Sequence, residues 1–93
     1  MYTLEISSRA EKNIEVAFQW YEKQRAGLGI SFVDSVGVAI KSIQANPLFY
    51  GYRKRNIRGC AVDDFPFLIL FYVKRTNVRV VNVFHTSRRV GKV

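Results

Sequence analysis

The chain has 93 residues, which is enough for one domain with a modest core and too few for two. Hydrophobic residues make up 48% of the sequence, so the chain can fold alone. Its 15 Lys and Arg against 7 Asp and Glu give a net charge of +8, which favours an acidic partner such as nucleic acid, an anionic membrane surface or an acidic protein.

Compartment and cofactor signals are sparse. The single cysteine, Cys60, cannot form an internal disulfide, which predicts a reducing cytoplasm. No signal core is found and no stretch approaches a membrane span in length, so we expect no membrane partner. The sequence has no glycine-rich phosphate loop, HExxH, CxxC or nucleophile elbow. We therefore expect no metal and no other cofactor.

A short strand and a helix are the first predicted elements. Apolar and polar residues alternate from 2 to 7, which is typical of a strand with one buried face. Ser8 and Glu11 have the spacing of a capping box, which predicts a helix start at Ser8. Gly27 and Gly29 are expected to end this helix and to allow a tight turn.

A second helix is predicted to begin at Ser31, with Asp34 three residues later, and to stop at Asn46-Pro47. Two helices joined by a short turn lie antiparallel to each other. We expect their apolar stripes to cover a sheet formed by the second half of the chain.

Three strands are predicted after a polar, basic connection at 48–56. They cover 57–62, 67–73 and 78–84, and short turns join them into an antiparallel meander. The second is almost entirely apolar, as expected for a central strand buried on both faces. The predicted order is β-α-α-β-β-β in a single domain, 1–93. This is an α+β fold in which a helical hairpin packs on a small, mainly antiparallel sheet.

Basic residues are concentrated at three places in the second half of the chain. These clusters are Arg53-Lys54-Arg55 with Arg58, Lys74-Arg75 with Arg79, and Arg88-Arg89 with Lys92. Alternation along the last strand predicts that Arg79, Val81, Val83 and His85 share one face and that Val78, Val80, Asn82 and Phe84 share the other.

This pattern has two interpretations. His85, with Arg79 and Arg88, has the residue types for metal-free RNA cleavage, in which imidazole transfers a proton and arginine stabilises charge on the phosphate. Alternatively, the basic residues solvate a half-exposed sheet or contact a partner, and His85 serves as a hydrogen-bonding residue.

Aromatic residues offer possible partner anchors. Tyr50 and Tyr52 lie between cationic residues and have the chemistry to stack on bases. Trp20 lies off the apolar stripe of the first helix. The alternative is that Trp20 covers the edge of the helical hairpin and that Tyr50 and Tyr52 pack under the sheet. Cys60 is expected to be a small buried strand residue.

The chain resembles the RelE/ParE superfamily of bacterial toxins from type II toxin–antitoxin modules. The similar segments are WYEKQRAGLGISFVDSV (20–36), IQANPLFYGY (43–52), IRGCAVDDFPFLILFYV (57–73) and VRVVNVFHTSRR (78–89). The resemblance implies a β-α-α-β-β-β fold. It also implies a cognate antitoxin, ParD-like or similar, whose acidic C-terminal segment neutralises the toxin.

The superfamily contains two kinds of activity. RelE-like members are ribosome-dependent mRNA endonucleases, whereas ParE-like members inhibit DNA gyrase by binding. Leu68 stands where the RelE branch has an arginine, and 86–93 lack its catalytic tyrosine. The FPF strand entry and the H-x-x-R-R ending are more similar to ParE.

The resemblance therefore implies a growth-inhibitory toxin that binds DNA gyrase, and no catalytic residue is assigned. The alternatives are a RelE-like RNase using His85, Arg79 and Arg88, or a homologue that has lost toxicity. Direct nucleic-acid binding is an open consequence of the charge. The expected target- or antitoxin-binding residues are Arg53, Lys54, Arg55, Arg58, Arg79, His85, Arg88 and Arg89.

Overall fold

The computed structural model describes residues 1–87. Its elements are β1 (Thr3–Ile6), α1 (Ser8–Gln24), α2 (Leu28–Ala45), a 3₁₀ turn (Pro47–Phe49), β2 (Tyr52–Lys54), β3 (Ile57–Ala61), β4 (Phe67–Lys74) and β5 (Asn77–His85). The α+β class and the helical hairpin on a mainly antiparallel sheet are confirmed.

The five strands lie in the order β1-β5-β4-β3-β2. The predicted meander of β3, β4 and β5 is confirmed as antiparallel, and β1 pairs in parallel with β5. The segment 48–56 was predicted as a connection only, and this is wrong because it contains β2. All three β2 residues are exposed. The strand therefore lacks the apolar alternation that would reveal it in the sequence.

Helix α1 begins at Ser8 as predicted, but the predicted capping box is wrong. Ser7 is the N-cap, and its Oγ accepts the backbone N–H of Ala10 at 3.1 Å. The same hydroxyl donates to the carbonyl oxygen of Val81 at 3.0 Å. Ser7 directly follows β1 and has the extended backbone conformation that is typical of an N-cap residue, whereas Ser8 is already helical.

Helix α2 begins at Leu28, three residues before the predicted start. Gly27 is its N-cap, with φ at 90°, a conformation that favours glycine. Gly29 lies inside the first turn instead of in the connection. A Cβ at Gly29 would lie 2.6 Å from the carbonyl oxygen of Phe18. The glycine therefore permits the close approach of the two helices that the short turn requires.

The core lies between the helical hairpin and the inner face of the sheet. Tyr21 and Phe32, from the two helices, meet Phe67 of β4, with the Phe32 and Phe67 ring centroids 4.9 Å apart. The buried core residues outside this group are Ala10, Ala17, Val36, Ala39, Ile43, Cys60, Val62, Ile69, Phe71, Val78, Val80 and Val83.

The prediction that β4 is buried on both faces is confirmed for its inner face and only in part for its outer face. Phe67, Ile69 and Phe71 point inward and are buried. On the outer face Leu68 is buried, whereas Leu70 and Tyr72 are half-buried, and no helix of the described residues 1–87 lies over this face. The apolar outer side of this strand forms part of the candidate functional site.

The predicted division of β5 into two faces is also wrong. The register with β4 shifts between Leu70 and Phe71, so that Val81 is an extra residue in β5. Such a bulge reverses the alternation beyond it. Val83 consequently joins Val80 in the core, whereas Val81 and Phe84 both line the outer face.

Helix α2 is long and apolar enough to cross a membrane by length and composition, with a mean hydropathy of 1.2. The expectation that no stretch reaches that length is wrong for this helix. Phe32 and Ile43 of the same helix are fully buried against the sheet. A core helix of a globular domain satisfies the same criterion.

Candidate functional site

A groove on the outer face of the sheet is the main candidate site. Its volume is about 480 Å³. We call it the outer-face groove, and its lining residues are Arg53, Lys54, Ile57, Leu68, Leu70, Val81 and Phe84. The floor is apolar because β4 carries leucines outward and because the bulge in β5 turns both Val81 and Phe84 to this side.

Two cations of β2 form the basic rim of the groove. Arg53 and Lys54 are exposed, and the next residue, Arg55, forms the turn into β3 with φ at 44°. The Arg53 side chain lies across Gly59, where a Cβ would come within 2.8 Å of it. The glycine of β3 therefore provides a flat surface on which Arg53 rests beside the apolar floor.

Arg58 belongs to the same sequence cluster but has a different environment. Its guanidinium donates to the Tyr50 carbonyl oxygen at 2.7 Å and to the Tyr52 hydroxyl at 2.8 Å. It also lies 4.1 Å from the centroid of the Tyr52 ring. These contacts stabilise the segment between α2 and β3. The structure thus gives Arg58 an internal role that the sequence cluster did not reveal.

Arg79 lies at the opposite end of the outer face. Its Nη1 atom is 2.7 Å from Glu5 Oε1, across the β1–β5 pair. The side chains of Arg79 and Glu5 are 42% and 74% exposed, so the pair contributes little to stability. It does neutralise one cation of the expected binding set.

His85 lies on the helix side of the sheet, away from Arg79. Its ring meets Phe67 edge-on at a centroid distance of 5.1 Å. Its Nδ1 atom accepts the backbone N–H of Ser87 at 3.0 Å. His85 also lines a cavity of about 310 Å³ between α1 and β5, together with Asn13 and Val16.

The proposed RNase residues are not brought together. Arg79 and His85 lie on opposite faces of the sheet and about 20 Å apart along β5, at about 3.3 Å per residue. Arg88 and Arg89 lie outside the described residues 1–87. The described residues therefore do not form a cluster that joins an imidazole to an arginine for phosphate chemistry.

The three aromatic anchor candidates differ in exposure. Tyr52 is 60% exposed and Trp20 is 47% exposed. The Trp20 ring packs edge-on against Tyr21. Tyr50 is instead half-buried against Phe71, so its predicted role as a surface anchor is not supported by its position.

Two exposed residues beside Tyr50 were not identified from the sequence. Leu48 and Phe49 are 56% and 74% exposed. They lie in the 3₁₀ turn that begins at Pro47. The sequence did contain a signal for them, because they are apolar residues in a connection that is predicted to be basic and to lie on the surface. Apolar residues in such a connection are expected to be exposed.

Cys60 is buried, as expected, and its thiol is unreactive. Burial raises the pKa of the Cys60 thiol, and burial also raises the pKa of the neighbouring Tyr50 hydroxyl. Both groups consequently stay protonated at neutral pH, so Cys60 lacks the thiolate that nucleophilic chemistry needs.

The outer-face groove has the chemistry of a binding surface. It combines an apolar floor with cations at one side, which suits a segment that carries apolar anchors and acidic residues. Within residues 1–87, no group of three or more His, Cys, Asp and Glu side chains is placed to hold a metal ion.

Comparison with known proteins identifies the fold. No protein-family model and no curated protein matches the chain. Among solved structures, it is similar to a chain of the chromosomal ParDE TA system from P. aeruginosa, with a TM-score of 0.84 and 15% sequence identity over 94% of this chain and 98% of that chain. At this identity the likeness shows the fold alone. The chain therefore has the α+β fold of that ParDE chain, as its resemblance to ParE-like toxins implies.

Proposed function

We propose that this chain is the toxin component of a type II toxin–antitoxin module and that a cognate antitoxin neutralises it in the outer-face groove. The observation that carries the proposal is the groove along the partly exposed, apolar outer side of β4, over which no helix of residues 1–87 lies. The fold shared with a chain of a ParDE system and the net charge of +8 support it.

The proposed occupant is an acidic, amphipathic segment of a ParD-like antitoxin. Apolar anchors of the segment pack against Leu70 and Phe84, and its carboxylates meet Arg53 and Lys54. This arrangement removes apolar surface from water and satisfies the rim charges together. The net positive charge also speeds the encounter with an acidic partner.

Growth inhibition is proposed to result from binding DNA gyrase in the cytoplasm, not from catalysis. The separation of His85 from Arg79 and the protonated state of Cys60 support this choice over RNase chemistry. The cytoplasm is supported by a lone, buried cysteine in place of disulfides. The C-terminal Arg88 and Arg89 stay in the proposed partner-binding set.

Charge reversal tests the proposed antitoxin site. The double variant Arg53→Glu/Lys54→Glu should weaken antitoxin binding at least about tenfold, which corresponds to about 1.4 kcal/mol. Lys12→Glu/Lys23→Glu, at exposed positions of α1, makes the same change in net charge and is the matched control. Equal effects of the two variants would show that general electrostatics, and not the groove, determines affinity.

Induction of the chain alone tests the proposed activity. We expect growth arrest with a DNA-damage response, inhibited supercoiling by gyrase in vitro, and rescue by the cognate antitoxin. Normal supercoiling with ribosome-dependent mRNA cleavage would replace the proposal with RNase activity. Growth without arrest, with antitoxin binding intact, would indicate a homologue that has lost toxicity.

A further inference from the structure

The outward side of α2 carries an apolar surface that the rest of the described chain does not use. Ile30, Val33 and Val38 are 57%, 40% and 61% exposed, although they belong to a helix in the core layer. Only 28% of the residues in this helix are buried. We call this surface, formed by Ile30, Val33, Asp34, Gly37, Val38 and Lys41, the α2 outer face.

Gly37 lies at the middle of the α2 outer face without an evident role inside the chain. A Cβ at this position would meet nothing within 4 Å, and its φ is not positive. A glycine inside a helix lowers stability relative to alanine. Its missing side chain does allow a second helix to approach more closely, since the separation of packed helices depends on the side chains at the contact.

The charges of α2 are self-complementary. Asp34 and Lys41 are its only charged residues, so this surface is locally neutral on a chain of net charge +8. When two copies of α2 pack antiparallel about the midpoint of Gly37 and Val38, each residue faces the residue of the other copy that lies equally far on the opposite side of this midpoint. Asp34 then faces Lys41 of the partner subunit, and the second such pair forms by symmetry.

We propose that two copies of this chain associate through the α2 outer face in a two-fold symmetric dimer. Val38 of each copy packs over the glycine at the centre of the other helix, and two Asp–Lys pairs fix the antiparallel register. An acidic partner would prefer the basic rim of the outer-face groove, whereas a second copy matches a neutral surface with one charge of each sign. One helix face per subunit is a small interface, so we expect a dissociation constant in about the micromolar range.

Charge exchange within the dimer provides the test. Sedimentation velocity of the purified full chain, from micromolar to near-millimolar concentration, should show a reversible monomer–dimer equilibrium. D34K and K41D should each weaken the dimer about tenfold or more, because each places like charges opposite one another twice. The double variant D34K/K41D should recover most of the affinity. An equimolar mixture of the two single variants should do so as well, since both pairs become opposite in sign.

A matched pair of variants separates this contact from the general effect of charge. Val38→Glu should abolish dimer formation, whereas Val16→Glu, at a valine of α1 that is 56% exposed, should leave the dimer intact. Circular dichroism should show that every variant stays folded. A monomeric wild-type chain across the whole range would overturn the proposal. A dimer insensitive to the charge exchanges would overturn it too.

Discussion

The Glu22 carboxylate in the last turn of α1 accepts the backbone N–H of Gly29 in the first turn of α2 at 2.8 Å. It also accepts the N–H of Gly27, at 3.0 Å. Gly27 has no side chain with which to cap α2, so a residue of the neighbouring helix replaces the missing cap. This contact connects the two helices at the turn and fixes the shape of the hairpin.

The stability contributed by Glu22 should depend on pH. The hydrogen bond from Gly27, before that from Gly29, lowers the pKa of Glu22 below its ordinary value of 4.5. Because the pKa is lower in the folded than in the unfolded state, the contribution is complete above about pH 4.5 and is lost as the pH falls through the folded pKa. Glu22→Gln should therefore lower the Tm at pH 7 and lower it progressively less toward pH 3.

Thermal unfolding of the wild type and Glu22→Gln between pH 7 and pH 3 measures this effect. Glu15→Gln, on the exposed side of α1, is the control. A decrease in Tm that is the same at every pH would contradict the proposed capping by the carboxylate.

Two glycines of α2 should respond in opposite ways to the same substitution. Gly29→Ala introduces a methyl group 2.6 Å from the Phe18 carbonyl oxygen and should decrease the free energy of unfolding by about 1–3 kcal/mol. Gly37→Ala introduces one into open space and should increase that free energy by about 0.5–1 kcal/mol. Chemical denaturation at low protein concentration measures both. An increase in the free energy of unfolding for Gly29→Ala as well would show that helix propensity, not packing, dominates at Gly29.

Arg58 should be more sensitive to a conservative change than its neighbour Arg53. Lysine cannot reach the Tyr50 carbonyl oxygen and the Tyr52 hydroxyl together or stack on the Tyr52 ring in the same way. Arg58→Lys should therefore decrease the free energy of unfolding by about 1–2 kcal/mol. Arg53→Lys, at an exposed rim position, should change it by less than about 0.5 kcal/mol. Equal effects in urea denaturation would contradict the internal role of Arg58.

The Asn13–Asn82 hydrogen bond should couple α1 to the bulge of β5. Asn13 Nδ2 donates to Asn82 Oδ1 at 2.7 Å, and the same oxygen accepts the backbone N–H of Val83 at 2.9 Å. Asn82→Ala removes both bonds and should cost about 1–2 kcal/mol, whereas Asn13→Ala should cost about 0.5–1 kcal/mol. A double-mutant cycle should give a coupling of at least about 0.5 kcal/mol. Strict additivity would show that the bond contributes nothing.

Periodicity located the helices and the three meander strands because their apolar residues repeat at the spacing of each element. The exact starts were harder to predict. Ser7 and Ser8 are both suitable caps in the sequence, and the hydrogen bond from Ser7 to Val81 depends on a strand far along the chain. β2 was not predicted because its residues are all exposed and show no apolar alternation. The strand is defined by its pairing with β3 and not by burial.

The candidate site was predicted only in part. The sequence showed that Arg53 and Lys54 belong to a basic segment, and the groove confirms that they lie together. It did not distinguish them from Arg58, whose hydrogen bonds to the backbone and to Tyr52 appear only when β2 and β3 pair. Position along the chain alone does not show whether a cation lies on the rim of the groove, as Arg53 does, or forms hydrogen bonds within the chain, as Arg58 does.

Apolar spacing along the chain is enough to predict that a helical hairpin covers a small sheet, because it selects which face of each helix and strand can be buried. The side of β5 that each residue occupies depends instead on how β5 pairs with β4, which the spacing does not show. The extra residue at Val81 depends on the register with β4, and it sends Phe84 to the outer face and His85 to the inner one. Side chains alternate between the two faces of a strand only until a bulge interrupts the alternation. The residues that line the groove can therefore be identified only once the register between β4 and β5 is known.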